Sequence, residues 1–175
     1  SQINQQWVQF NSLFGEAAYD QSGNSVAINN SGNIIAIGGN HNDGNGNSAG
    51  HVRVFQRINT TWVQMGSDID GENSYDYSGS SIAINSLGNR IAIGAQGNDG
   101  NGSTAGHVRV YEWSGSSWVQ MGSDIDGEAA DDLFGCSVDM DSSGNRIVVG
   151  AYMNSHIYSN YFPRGHVRVY EWSGS

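Results

Sequence analysis

A single cysteine in 175 residues rules out a disulfide within the chain. Stability in an oxidising compartment would then rest on packing or on a metal. Cys136 stands where the other repeats have Asn24 and Ser80, and is expected to be a small buried side chain. Basic residues are also scarce: seven Lys and Arg against 17 Asp and Glu give a formal charge of −10. Nucleic acid and anionic membrane surfaces are therefore not expected partners; cations and neutral polar ligands suit the chain better. No apolar run approaches the roughly 20 residues of a membrane-spanning helix, so no membrane insertion is expected. The sequence starts at Ser1 rather than Met, which leads us to expect processing or a longer parent chain.

What is abundant is turn and strand chemistry: 25 Gly and eight Tyr, with one Pro. Val, Ile and aromatic residues recur at regular places, which separates the chain from disordered sequences. The "WVQ" segments begin at Trp7, Trp62 and Trp118, and Gly23, Gly79 and Gly135 keep the same interval of 56 residues. "GHVRV" begins at Gly50, Gly106 and Gly165, the last interval being three residues longer. One supersecondary unit is used three times.

Each unit reads as four short antiparallel strands. Strand A is "SVAIN", "SIAIN" or "SVDMD", with apolar residues at period two. A Gly-containing turn leads to strand B, "IIAIGG", "RIAIGA" or "RIVVGA", apolar enough to be covered on both faces. Strand C is "HVRVF" or "HVRVY"; strand D is the more polar "WVQ", suited to an edge. The expected fold is all-β, with β-propeller-type blades in a single repeat domain over 1–175. Its units of about 56 residues run over 1–56, 57–112 and 113–172, each opening on a strand D and closing on a strand C. Three blades are fewer than a ring normally has, so two copies completing a six-bladed ring, or a longer parent, would be needed. A β-trefoil, also three units of four strands, is the alternative.

With these strands placed, the unit resembles the FG-GAP repeat of integrin α-subunit propellers and of related bacterial and lectin propellers. "LFGCSVDMD" (Leu133–Asp141) matches the FG part, "IAIGA" (Ile91–Ala95) the GAP part and "GHVRVYEW" (Gly106–Trp113) the closing strand. The first two repeats have Ser22-Gly23 and Ser78-Gly79 in place of Phe-Gly, and none has the Pro of GAP. The resemblance implies a propeller used in adhesion. The calcium loop that many members carry between strands A and B is not carried over: "NNSGN", "NSLGN" and "DSSGN" are too short and too poor in carboxylates.

Calcium is instead expected, if anywhere, in two other stretches. "DIDGENSYD" offers Asp68, Asp70, Glu72 and Asp76; "DIDGEAADD" offers Asp124, Asp126, Glu128, Asp131 and Asp132. Carboxylates at alternate positions around a Gly are what a hard cation requires, although a solvated connector has the same composition. The first repeat retains only Glu16 and Asp20. The "NDGNG" loops between strands B and C place Asn42, Asp43, Asn98 and Asp99 on one rim, as ligand contacts or as a plain hairpin tip. The third B–C loop is different, with Tyr152, His156, Tyr158, Tyr161, Phe162 and Arg164 suited to stacking on a sugar or anchoring a protein. His51, His107 and His166 are expected as rings facing a neighbouring blade, and Trp7, Trp62 and Trp118 as blade-edge packing. Sequons at Asn29, Asn59 and Asn101 are no more than so Asn-rich a sequence produces by chance.

Nothing resembles a nucleophile elbow, a phosphate loop or a Cys and His metal cluster. A glycosidase pair drawn from Asp68, Asp70, Asp124 and Asp126 would sit in repeated environments, whereas acid and base need dissimilar ones. The chain is therefore not expected to be an enzyme. The functional expectation is an extracellular or cell-surface recognition and adhesion module that binds a glycan or protein through rim loops. The alternative is a structural repeat subunit of a surface assembly or filament.

Overall fold

Period-two apolar residues broken by Gly turns produce strands throughout. The computed structural model, which describes residues 6–155 and 163–174, is all-β, with no helix among the described residues. Three antiparallel sheets follow one another along the chain. In the first, β1 (Ser25–Ile28), β2 (Ile34–Gly39), β3 (His51–Ile58) and β4 (Thr61–Gln64) lie in that order. β5 (Ile69–Asp70) also pairs with β3, at its His51–Val52 end, while β4 takes Phe55–Ile58. The fourth strand of the sheet is thus delivered in two pieces from the start of the next repeat.

The second sheet repeats this plan with β6 (Ser78–Ile84), β7 (Arg90–Ala95), β8 (His107–Trp113), β9 (Trp118–Gln120) and β10 (Ile125–Asp126). The third holds β11 (Ser137–Met140), β12 (Arg146–Ala151) and β13 (His166–Glu171). Among the described residues, β13 has no strand on the edge where β3 and β8 carry two each.

The A–B hairpins close on their own first polar residue. Asn29 Oδ1 accepts from the backbone N–H of Asn33 and Ile34, both at 3.0 Å, and Asn85 does the same for Asn89 and Arg90. Asp141 takes this place in the third sheet, where the Arg146 N–H chiefly holds its carboxyl below the usual range. Cys136 is half-buried and its thiol donates to Gly150 O at 3.3 Å, as the Ser80 hydroxyl does to Gly94 O.

Successive sheets pack face to face. Ile82, Ile91 and Ile93 of the second lie on Ala36, Val52 and Val54 of the first. The opposite face of the second sheet, with Ala83, Ala92 and Val108, covers Ile147 and Val149 of the third. The sheets approach closely at Gly38 with Gly79 and at Gly94 with Gly135, where backbone meets backbone without room for a Cβ. The Ser25 and Ser81 hydroxyls bridge these seams, donating to Gly79 O at 2.6 Å and to Gly135 O at 2.7 Å.

Candidate functional site

Two recurring polar clusters join each sheet to the segment before it. The first is built on the "NDGNG" loop. Asn98 is 3% exposed; its amide donates to Asp76 Oδ2 at 3.2 Å and its Oδ1 accepts from Gly100 N at 2.8 Å. Asp76, 2% exposed, also accepts from the backbone N–H of Glu72 and Asn73. Asp99 Oδ1 accepts from Thr104 N at 2.7 Å, and Asn101 Nδ2 donates to Gly127 O of the next connector. The first repeat has the same wiring through Asp20, Asn42, Asp43 and Asn45, and the third retains the Asp132–Asn154 bond at 2.8 Å.

The rim-loop expectation is therefore narrowed by burial. Asn42 and Asn98 face inward and spend their amides on the fold, while Asp43 and Asp99 remain exposed. Tyr152 is exposed in the third loop, and the Arg164 backbone N–H reaches Asn154 O. His156, Tyr158, Tyr161 and Phe162 lie outside the described residues.

The second cluster surrounds the strand-C histidines. His51 and His107 are each 1% exposed. His51 Nδ1 stands 3.4 Å from Asp68 Oδ2 and 3.9 Å from Glu16 Oε2. His107 Nδ1 stands 3.8 Å from Asp124 Oδ2 and 3.9 Å from Glu72 Oε2. Arg53 and Arg109, two residues along the same strands, approach the other oxygens of Glu16 and Glu72 at 3.5 and 3.6 Å. The Arg109 guanidinium also donates to Asp70 O at 2.7 Å, which ties the second sheet to β5 of the first. In the third repeat His166 and Arg168 both meet Glu128.

The carboxylates of one connector are thus divided between neighbours: Asp68 faces His51, Glu72 faces His107 and Asp76 faces Asn98. Asp70 is largely exposed, and partial desolvation followed by the Asp68 charge raises its carboxyl above the ordinary value, against the pull of His51 and Arg109. Glu72, Asp76, Asp99, Asp124 and Asp126 line one acidic cleft of about 490 Å³, drawn from two connectors and the "NDGNG" loop between them.

Burial, and then Arg109, push the His107 imidazole below its ordinary 6.5, opposed by Asp124, Glu72 and Asp76. The unfolded chain therefore binds this proton first. The stability contributed is complete above about pH 6.5 and is lost as pH falls through the unfolded value toward the folded one. In chelator-treated buffer, the thermal midpoint is expected to drop between about pH 7.5 and about pH 5.5. His107→Gln should flatten that slope; an equal slope in the variant would refute the assignment.

The tryptophans connect sheets. The Trp118 indole N–H donates to Met65 O at 2.9 Å, and its ring lies 5.3 Å from Trp113. Trp7, at the equivalent place before the first sheet, is fully exposed.

The fold and these clusters define an all-β repeat protein. A scan against models of protein families finds no match, and no curated protein matches the sequence. Among solved structures, the chain is similar to the crystal structure of the tricorn protease at 10% identity and a TM-score of 0.46. That match covers 83% of this chain and spans 13% of that one.

Proposed function

We propose that the three sheets are blades of a non-catalytic β-propeller-type module that completes itself by docking a second copy. The carrying observation is that its two open ends are the two halves of an interface the chain already builds twice. At one end Val26 and Ile28 are 68% and 61% exposed; their counterpart Ile82 is buried against the first sheet. At the other end Val167 and Val169 are 65% and 70% exposed, whereas Val52, Val54 and Val108 at the same register are buried under the next sheet. Covering these four side chains is worth about 1–2 kcal/mol each.

The sheet edges complement each other as well. Among the described residues, β13 lacks the strand that β4 and β9 supply to its counterparts, and Trp7–Gln9, which match β4 and β9 in sequence, form no strand. A cleft of about 250 Å³ lined by Met121, Gly122 and Trp172 occupies the place where Trp118 sits against Trp113 one repeat earlier. The Trp7 segment of a second copy fits there, with its indole N–H toward Met121 O as Trp118 points to Met65 O. Two copies then contribute six sheets.

Light scattering is the test. The parent is expected at twice the chain mass, and Trp7→Ala combined with Val169→Glu at the chain mass with unchanged circular dichroism. A parent that stays monomeric at high concentration would sink the reading.

Recognition of a glycan or protein at the rim is the second reading, favoured by the exposure of Tyr152, Asp43 and Asp99. Binding on a glycan array that Tyr152→Ala abolishes would support it.

A further inference from the structure

The second cluster has a feature that ion pairing leaves unexplained. His51 is 1% exposed, and its Nδ1 makes no hydrogen bond although two carboxylates converge on it. A protonated imidazole donating to either oxygen would sit at roughly 2.7–3.2 Å. Both separations, 3.4 and 3.9 Å, are longer, and at His107 they are 3.8 and 3.9 Å. The same spacing in two repeats leaves room for an atom between the three groups.

The far oxygens of these carboxylates are already engaged, which aims the near ones. Gln64 Nε2 donates to Asp68 Oδ1 at 2.6 Å and Gln120 Nε2 to Asp124 Oδ1 at 2.7 Å. Arg53 and Arg109 approach Oε1 of Glu16 and Glu72, leaving Oε2 toward the histidine. Outer partners of this kind orient metal ligands.

We propose that Glu16, His51 and Asp68, and likewise Glu72, His107 and Asp124, each bind a divalent transition-metal ion of the zinc class through Nδ1 and two carboxylate oxygens. Ligand atoms about 2.0–2.1 Å from zinc at tetrahedral angles lie roughly 3.4 Å apart. In each cluster the three candidate atoms lie within 4.8 Å of one another. Small rotations of the half-exposed carboxylates close the remainder. One imidazole nitrogen with two carboxylates selects this class over calcium, which takes six to eight oxygens. The fourth position opens to water on the carboxylate side, since Glu16 and Glu72 are 47% and 40% exposed.

The ion would join parts that are separate in sequence. Each cluster unites a connector glutamate, a strand-C histidine and an aspartate at the bend of the fourth strand. The third repeat has Glu128 Oε2 at 3.4 Å from His166 Nδ1 but no aspartate in the third place among the described residues. A docked second copy would bring Ser12 there in the Gly15–Gly71 register, or Leu13 in the Trp7–Trp62 register, and neither carries a carboxylate. The expected content is therefore two ions per chain, whether or not the chain dimerises.

Equilibrium dialysis of chelator-stripped full chain against zinc chloride, up to roughly ten equivalents, tests this. The parent should bind two zinc ions per chain, Asp124→Asn one, and Asp68→Asn/Asp124→Asn none, while excess calcium chloride leaves zinc in place. The double variant keeps the Gln64 and Gln120 contacts and should match the parent's circular dichroism. If it does not fold, Glu16→Gln/Glu72→Gln gives the same readout from the more exposed ligands. Absence of zinc from the parent, unchanged stoichiometry in the folded double variant, or displacement by calcium would each overturn the proposal. Zinc held adventitiously by His41 would survive both double variants and so count against it.

Discussion

Replacing Asp76 by alanine is expected to cost about 3–5 kcal/mol, because it leaves a set of buried donors without an acceptor. Asp76 Oδ2 collects the backbone N–H groups of Glu72 and Asn73 and the side-chain amide of Asn98. Asn98 in turn holds Gly100 N, so one carboxylate organises both the connector and the "NDGNG" loop of the following hairpin. For a chain of this length the loss corresponds to roughly 10–15 °C in thermal midpoint. Asp76→Asn retains a carbonyl acceptor and should lose less than half as much. Chemical denaturation of the three proteins is the measurement. An Asp76→Ala variant within about 1 kcal/mol of the parent would show that water replaces the carboxylate easily, and that the loop does not depend on it.

The strands were legible because apolar residues at period two have one physical use. Val26 with Ile28 and Ile82 with Ile84 occur in strands at the registers their alternation implies, but only the second pair is turned into a core; Val26 and Ile28, which alternation alone would bury, are exposed. β5 and β10 carry no such signal: Ile69–Asp70 and Ile125–Asp126 are two residues long and have no periodicity. Their pairing is set by the strand they meet.

The polar clusters were harder to read. Asn and Asp in a Gly-rich loop have the same composition whether the loop is solvated or wired into the fold, so "NDGNG" read as an exposed tip. The usable signal was the separation of 22 residues between Asp20 and Asn42, Asp76 and Asn98, and Asp132 and Asn154, which recurs in all three repeats. It survives in the third repeat although the loop around Asn154 has changed. Likewise the acidic connectors drew attention as groups of neighbours in sequence. The fold instead divides them between successive histidines, because the connector runs from the edge of one sheet to the face of the next. A repeat protein brings together residues about one unit apart, such as Glu16 and Asp68 at His51, which neighbours within one connector do not reveal.

Gly94→Ala is the second change with a large expected effect, and it tests how the sheets are stacked. Gly94 lies in β7, paired with Ser81 and Val108, and its backbone is not in the left-handed region, so alanine has no conformational objection there. The obstacle is the neighbouring sheet. A methyl group would fall on the Gly135 carbonyl oxygen and on the Ser81 hydroxyl that bonds it. Gly135 is backbone and cannot swing aside; the second and third sheets must separate, opening the core of Val108, Phe134 and Val149. The expected cost is at or above about 3 kcal/mol, the upper end for overpacking. Gly115→Ala supplies the contrast. Gly115 has φ +100° and nothing within 4 Å of an added Cβ, so its penalty is backbone strain alone, about 1–2 kcal/mol. Denaturant titration of both variants should rank Gly94→Ala clearly below Gly115→Ala, with a lower m-value or a separate early transition as the third sheet detaches. Equal penalties would mean that the sheets are free to slide at the Gly94–Gly135 seam. The same seam would then no longer be a template for docking a second copy at the open ends.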